Sequence, residues 1–495
     1  MYRLLAFLTL VFTATSVGAS VDAHFQTLQN HPAALYAFLH DMPKGGELHY
    51  HYDGAVYAET MLHLATRSKI CIHPTSLSAQ GCHIEPKTLS IRDIVHSPSM
   101  FTKILHSWSM QSFVPHHESA HDHFFAVFPK VGVLYSSLKA QLLAAILRKA
   151  AAQHELYMEI IAFGLADDDR YAKLIREEAD LSKKRALLLA DPAFQRSVQQ
   201  IVDASQSFLP AAHEVLHCAP HPHEPACNIQ VKYQTYVRRV KSPDSVFAQA
   251  LAGFVAAERS AHIVGINLLD IEDDATAQQD YAQHMQIFQF LHTHYPKVHI
   301  ALHAGELYPM KVAPHIVRSP IRDAIVIGHA ERIGHGLDIA DEPDASALAD
   351  MMAQKSIAVE VNLTSNHMIF GVQGSQHPLR FYLQHKVPVV LSTDDEGILR
   401  TDLTKEYVKA AQEHHLDYAT LKQINRNTLT YAFLPGTSIW ADPYHAIRVK
   451  ACQELTSHAC QVFIKNNPKA HLQWQLEQAL AVFESKFASQ STKKQ

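Results

Sequence analysis

The stretch "HIVGINLLDIEDDATAQQDYAQHMQIFQFLHTHYPKVHIALHAGE", residues 262–306, decides the fold of this chain. Its first part, "HIVGINLLDIED", reads as a strand made almost entirely of Ile, Val and Leu. "YAQHMQIFQFLHTHY" has the apolar spacing of a helix, and "KVHIALHAGE" returns to strand. Strands this apolar are buried on both faces, and alternation with helices implies a parallel sheet. The same alternation extends in both directions. "DSVFAQALAGFVAAERSA" precedes it as a helix with Asp244 as the expected N-cap. After it, "AIVIGHAERIGHG" and "IAVEVNLTSN" read as strands, the second preceded by the helical "DASALADMMAQKS". A helix "HPLRFYLQHK", a strand "VPVVLSTDDEG" and a helix "TKEYVKAAQEHH" follow. Near the start, the helical "FQTLQNHPAALYAFLHDM" leads into the strand "ELHYHYDGA". So many units predict an α/β chain folded as a closed (β/α)8 barrel of the TIM type, rather than an open sheet. No G-x-G-x-x-G follows the first strand, which removes the usual dinucleotide-binding reading.

Not every region fits a barrel unit. The reading divides the chain into a leader (1–19), a barrel (20–440) carrying helical insertions at 66–125 and 165–243, and a helical C-terminal extension (441–495). The leader, "MYRLLAFLTLVFTATSVGA", has one basic residue, an apolar stretch from Leu4 to Val17 and small residues at 17–19. That is the pattern of a cleavable secretory signal peptide, so the mature protein is expected to be secreted or periplasmic and free of the membrane. Six cysteines agree with export. They fall into close pairs, Cys71/Cys82, Cys218/Cys227 and Cys452/Cys460, each of which would close a short loop. Cys452 and Cys460 would need a break between them if they lay on one helical segment. A net charge of −5 offers no basic field for nucleic acid. The sequon at Asn362 falls in an expected buried strand, so no glycan is expected there.

The chemistry gathers at strand ends. "PKGGELHYHYDGA", residues 43–55, places His49 and His51 two apart, hence on one side of a strand. With 36 His in 495 residues, roughly two or three H-x-H pairs arise by chance, so the pair alone is weak. His121/His123, His221/His223 and His292/His294 share the spacing. Other strand ends carry more: His303 and Glu306, His335, and Asp394 with Asp395. In a barrel of this type such ends ring one pocket. Zinc takes imidazole and carboxylate ligands and leaves a position for water at a catalytic site. His49, His51, His303 and Asp394 suit that role, leaving Glu306, His335 and Asp395 for proton transfer. A different zinc motif pairs H-x-E with P-C-x-x-C. His116-His117-Glu118 supplies the first part, and the second is absent.

"MPKGGELHYHYDGA", "LHAGE", "ERIGHG" and "STDDE", in that order, resemble the adenosine deaminase family. The leader and the "MPKGGELH" wording are similar to its exported, growth-factor-related branch. The resemblance implies one zinc ion held by His49, His51, His303 and Asp394. It implies Glu306 as proton donor to the purine N1, and His335 as the base that orients and deprotonates the metal-bound water. Asp395 would hold that water and the purine N7, and Asp53 would meet the ribose 5′-hydroxyl. Where the family has a glycine giving its backbone N–H to the purine N3, this sequence has Asp270. The implied activity is hydrolysis of adenosine and 2′-deoxyadenosine to inosine and ammonia. The partner is a small purine nucleoside, and homodimerisation follows from the family alone. Deamination of another purine, such as adenine or a modified adenosine, is the alternative reading. A secreted binding or growth-factor-like module is a third.

Overall fold

Eight parallel strands form a ring in the computed structural model, which describes residues 21–82, 88–115, 118–307 and 319–488. They are β1 (Lys44–His51), β2 (Glu155–Phe163), β3 (Gln230–Arg238), β4 (Ile263–Leu269), β5 (His299–Ala304), β6 (Arg332–His335), β7 (Ala358–Val361) and β8 (Val389–Leu391). Each pairs with the next in sequence order. A parallel bridge between Tyr50 and Asp394 joins the last strand's end to the first. The backbone confirms it: His51 N–H donates to Asp394 O (3.0 Å) and Asp394 N–H to His49 O (3.2 Å). Closure of the barrel is therefore also what sets Asp394 beside His49 and His51. The fold is the expected (β/α)8 barrel.

Several local readings change. Residues 230–238, inside the stretch read as an insertion, form β3, and residues 155–163 form β2. Both strands carry polar residues in their middles, Gln234 and Glu159, which interrupts the apolar run that marks a buried strand. "AIVIGHAERIGHG" is not one strand. Pro320–Val326 is a helix burying Ile321, Ala324 and Ile325 at helical spacing, and only Arg332–His335 is strand. β7 ends at Val361, after which Leu363–Phe370 is helical. Asn362 is fully buried at that junction, consistent with no glycan there. Ser242, not Asp244, caps the Pro243–Arg259 helix by accepting from Ser245 N–H. A short hairpin of Trp440–Asp442 and Ile447–Arg448 precedes the C-terminal helices His458–Lys465 and Pro468–Ala488.

All three local disulfides are present. Cys71–Cys82 staples a small antiparallel sheet between β1 and β2. Cys452 and Cys460 meet because the chain breaks its helix between them, bringing their Cα atoms to 4.5 Å. No single helix among the described residues is long and apolar enough to cross a membrane. The leader, His116-His117 and the terminal "STKKQ" lie outside the described residues.

Candidate active site

The barrel interior is not simply apolar. A belt of polar side chains runs around it, one from each of seven strands. His303 (β5) donates Nδ1–H to Asn267 Oδ1 (2.8 Å), and Asn267 (β4) donates to Gln234 Oε1 (3.1 Å). Gln234 (β3) donates to Glu159 Oε2 (3.1 Å), which also accepts from Arg332 Nη2 (2.6 Å). Arg332 (β6) donates Nε–H to Glu360 Oε1 (2.6 Å), and Glu360 Oε2 (β7) accepts from His49 Nδ1 (2.8 Å) on β1. All of these side chains are buried. The belt begins and ends on a histidine and fixes which nitrogen of each carries the proton. Sequence reasoning missed its five middle members. Their signal is a lone polar residue inside an apolar strand, which by itself also marks an ordinary buried hydrogen bond.

With Nδ1–H engaged, the Nε2 atoms of His49 and His303 are left as lone pairs on the C-terminal side of the belt. There, His51 Nε2 stands 3.3 Å from His49 Nε2, 3.1 Å from His303 Nε2 and 3.1 Å from Asp394 Oδ1. His49 Nε2 lies 3.2 Å from the same Asp394 oxygen. Lone pairs packed so closely around a carboxylate repel unless a cation sits among them. Tetrahedral ligands about 2.0–2.1 Å from zinc stand roughly 3.3–3.4 Å apart, which is this spacing. The residues therefore fit one zinc ion. His335 also brings a ring nitrogen into the group formed by His49, His303 and Asp394. The contacts of His51 are shorter, so we assign His51, and not His335, to the fourth position. The electrostatics agree. Burial lowers His49, but Asp394 and Glu360 outweigh it and push the imidazole up to about 10. Burial raises Asp394, yet without the metal a proton on Nε2 of His49 or His51 takes the cation's place, and these hydrogen bonds hold the Asp394 carboxyl well below the usual range. The pocket is arranged for positive charge.

The remaining candidates surround this point. They share a cavity of ≈ 450 Å³ that reaches His51, Asp53, Asp270, His303, Glu306, His335, Asp394 and Asp395. A larger cavity of ≈ 720 Å³ opens beside the starts of β5 and β6 and touches none of them. Active sites of such barrels lie at the other end. Burial above all, then the charges of Asp394 and Glu272, pushes the Glu306 carboxyl well above the usual range. Glu272, absent from the sequence reading, holds this loop by accepting from Gly305 N–H (3.0 Å) and Glu306 N–H (2.9 Å). Burial and the adjacent Asp394 likewise push Asp395 up, and its Oδ1 has no hydrogen-bond partner among the described residues. A Cβ on Gly54 would collide with that Asp395 carboxylate, which explains why glycine follows Asp53 in "HYDG". A Cβ on Gly334 would come within 2.7 Å of His49 Cε1.

Burial holds His335 down to about 3, so the ring is neutral. Its tautomer can be traced from an unambiguous donor. Leu379 N–H donates to His377 Nδ1 (3.1 Å), which leaves the proton of His377 on Nε2. That Nε2 donates to Asn366 Oδ1 (3.1 Å), so the Asn366 amide nitrogen faces His335 Nδ1 (3.1 Å) and donates to it. Neutral His335 then carries its proton on Nε2, 3.6 Å from Glu306 and without a hydrogen-bond partner among the described residues.

Asp270 follows β4 with φ 89°, a region that favours glycine. Its carboxylate turns aside to Arg238 Nε (2.7 Å). Phe124, Phe125 and Phe128 cover the cavity from the residues preceding β2.

The comparisons with known proteins follow this geometry. The sequence profile described as adenosine deaminase matches residues 197–439. The adenosine deaminase of Klebsiella pneumoniae (strain 342) is 32% identical over 203 residues, 41% of this chain and 57% of that protein. Over residues 197–439 the chain matches the adenosine deaminase family. The adenosine deaminase of Escherichia coli (strain SMS-3-5 / SECEC) is 36% identical over 137 residues, 28% of this chain and 38% of that protein. The chain thus matches about half or less of the length of these relatives. Among solved structures, Arabidopsis ADAL complexed with IMP aligns with a TM-score of 0.53 at 17% identity, covering 90% of this chain and 99% of that one. The N6-methyl-AMP deaminase of Arabidopsis thaliana gives 0.51 at 17% identity, covering 88% and 99%. At that identity the likeness is one of fold. The family is zinc-dependent, and the buried His and Asp group has the matching donor set.

Proposed function

We propose that the protein hydrolyses adenosine and 2′-deoxyadenosine to inosine and ammonia. One observation carries this: a buried site fit for zinc opens into the same cavity as a neutral His335 and the carboxyls of Glu306 and Asp395, both pushed up by burial. Zinc, when bound, supplies a Lewis acid that lowers the pKa of water from about 15.7 toward 7. Glu306, held neutral by burial, donates its proton to the purine N1 and makes C6 electrophilic. His335 orients the attacking water by donating Nε2–H to its oxygen. Asp395 takes the water proton and delivers it to the amino group. As the C–N bond breaks and ammonia leaves, the proton of the new hydroxyl returns to Glu306. The base role that the family resemblance gives to His335 thus moves to Asp395.

Charge favours a nucleoside over a nucleotide. The cavity holds the carboxyls of Asp53, Asp270, Glu306, Asp394 and Asp395, while its Arg238 is already paired with Asp270. A 5′-phosphate would meet like charge there. The two Arabidopsis proteins, one complexed with IMP and one a deaminase of N6-methyl-AMP, handle nucleotides on a similar fold. The test is the ultraviolet change on incubating zinc-loaded protein with adenosine, 2′-deoxyadenosine, adenine, AMP and N6-methyl-AMP. Turnover of adenosine, abolished by a chelator and restored by zinc, is expected. No turnover of adenosine, or a preference for AMP, would overturn the reading.

Export completes the proposal. The leader pattern at residues 1–19 and three disulfides both suit an oxidising compartment. Amino-terminal sequencing of secreted or periplasmic protein is expected to begin near Ser20, and an intact Met1 would refute cleavage.

A further inference from the structure

Beyond Asp53 lies a second cavity of ≈ 460 Å³. It shares Asp53, Phe128 and Tyr236 with the catalytic cavity, so these three side chains form the partition between the two. Its far wall comes from the helices Phe128–Ser137, Lys139–Ala152 and Pro192–Leu216. The lining is largely aromatic and small. Tyr52 packs edge-on against Phe208 (5.1 Å) and Tyr135 (5.2 Å), and Phe163 against Phe208 (5.8 Å). The space exists because Gly132, Ala140, Ala204 and Ala211 face it. Lys139 stands at its edge and forms no ion pair among the described residues.

The reaction fixes which end of a substrate arrives here. C6 of the purine must lie against the zinc group, Glu306 and Asp395. The sugar, on the opposite edge of the purine, then points away from the metal, and Asp53, which the family resemblance sets against the ribose 5′-hydroxyl, belongs to the partition. We propose that this second cavity is a subsite for an apolar extension on the substrate's sugar, so that the enzyme deaminates adenosines bearing a 5′-alkylthio or similar apolar 5′ group as well as adenosine. The inference rests on the proposed deaminase activity. An apolar wall rewards burial of methylene groups in proportion to their area, and the carboxyl at Asp53 opposes a phosphate in the same place.

The experiment compares kcat/KM for adenosine, AMP and a series of 5′-deoxy-5′-alkylthioadenosines from methyl to butyl, using the full zinc-loaded protein. The expected result is a methylthio value within about threefold of adenosine and a rise with each added carbon. Adenosine turned over normally, with the methylthio compound more than thirtyfold slower or no gain along the series, would overturn the subsite and leave the deaminase standing. Failure on adenosine and the whole series would overturn both. A preference for AMP over the series would overturn the apolar assignment in favour of an anion at Lys139. Gly132→Phe probes the cavity itself, because a Cβ there meets nothing within 4 Å. It is expected to lower the butylthio-to-adenosine ratio of kcat/KM at least tenfold, and an unchanged ratio in the folded variant would count against the subsite.

Discussion

Glu360→Gln isolates what the barrel's polar belt does for the metal. Glu360 is fully buried and accepts with both oxygens, Oε2 from His49 Nδ1 (2.8 Å) and Oε1 from Arg332 Nε (2.6 Å). Burial opposes its charge, but Arg332 and His49 hold the carboxyl below the usual range, so it is ionised at neutral pH. A glutamine has the same shape but one acceptor and one donor end. Whichever way its amide turns, the NH2 faces either the His49 N–H or the Arg332 N–H. One charge-assisted bond is lost, and among the described residues Arg332 keeps only Glu159 as a carboxylate partner. Such a bond contributes about 1.5–3 kcal/mol. Releasing a ligand histidine from its outer partner weakens metal binding roughly 10–100-fold. We therefore expect the metal-free variant to lose about 1.5–3 kcal/mol of unfolding free energy in denaturant titrations. Chelator competition should show zinc held roughly 10–100-fold more weakly. The pH dependence has a definite sign. A carboxyl whose folded pKa is depressed adds stability above its unfolded pKa, near 4.3, and loses it as pH falls through the folded value. The gap between wild type and variant should thus be full at pH 7 and close in acid. Zinc affinity within twofold of wild type, together with unchanged metal-free stability at pH 7, would refute the role assigned to the belt.

Other outcomes follow from the same geometry. Glu306→Gln should lower kcat by about 10²–10⁴ because the amide cannot give up a proton. It should also stabilise the metal-free protein at pH 8. A carboxyl raised by burial costs stability as pH climbs above its unfolded value, and glutamine never ionises, so a lower melting temperature at pH 8 would contradict the raised pKa. Gly54→Ala drives a methyl into Asp395 and should cut kcat more than a hundredfold while zinc content, read by atomic absorption, stays near one per chain; full activity would remove Asp395 from the reaction. His377→Phe deprives Asn366 Oδ1 of its donor, so the amide can turn and His335 can take the other tautomer. Nitrogen NMR of labelled histidine should show the His335 proton leaving Nε2, and kcat should fall with little change in KM; an unchanged His335 signal would break the relay from Leu379.

The sequence alone determined the alternation of strand and helix, the cysteine pairs and the chemistry at the strand ends. Those features are local: periodicity, short loops, and short motifs such as "HYHYDG" and "STDDE" need no knowledge of distant neighbours. The two early strands, β2 and β3, escaped because Glu159 and Gln234 break their apolar runs, and only the closed barrel shows why polar groups belong there. Likewise Asn267, Arg332 and Glu360 are isolated residues until seven strands bring them into one hydrogen-bonded belt. The tautomer of His335 was equally out of reach, since it is set by Asn366 and His377 through partners outside its own strand. So was the second cavity beyond Asp53, whose walls come from helices that precede β2 and β3. Pattern along a chain reports what a segment prefers. What surrounds a side chain, and hence its proton and its charge, is fixed only when the barrel closes at Tyr50 and Asp394 and distant groups must share one desolvated interior.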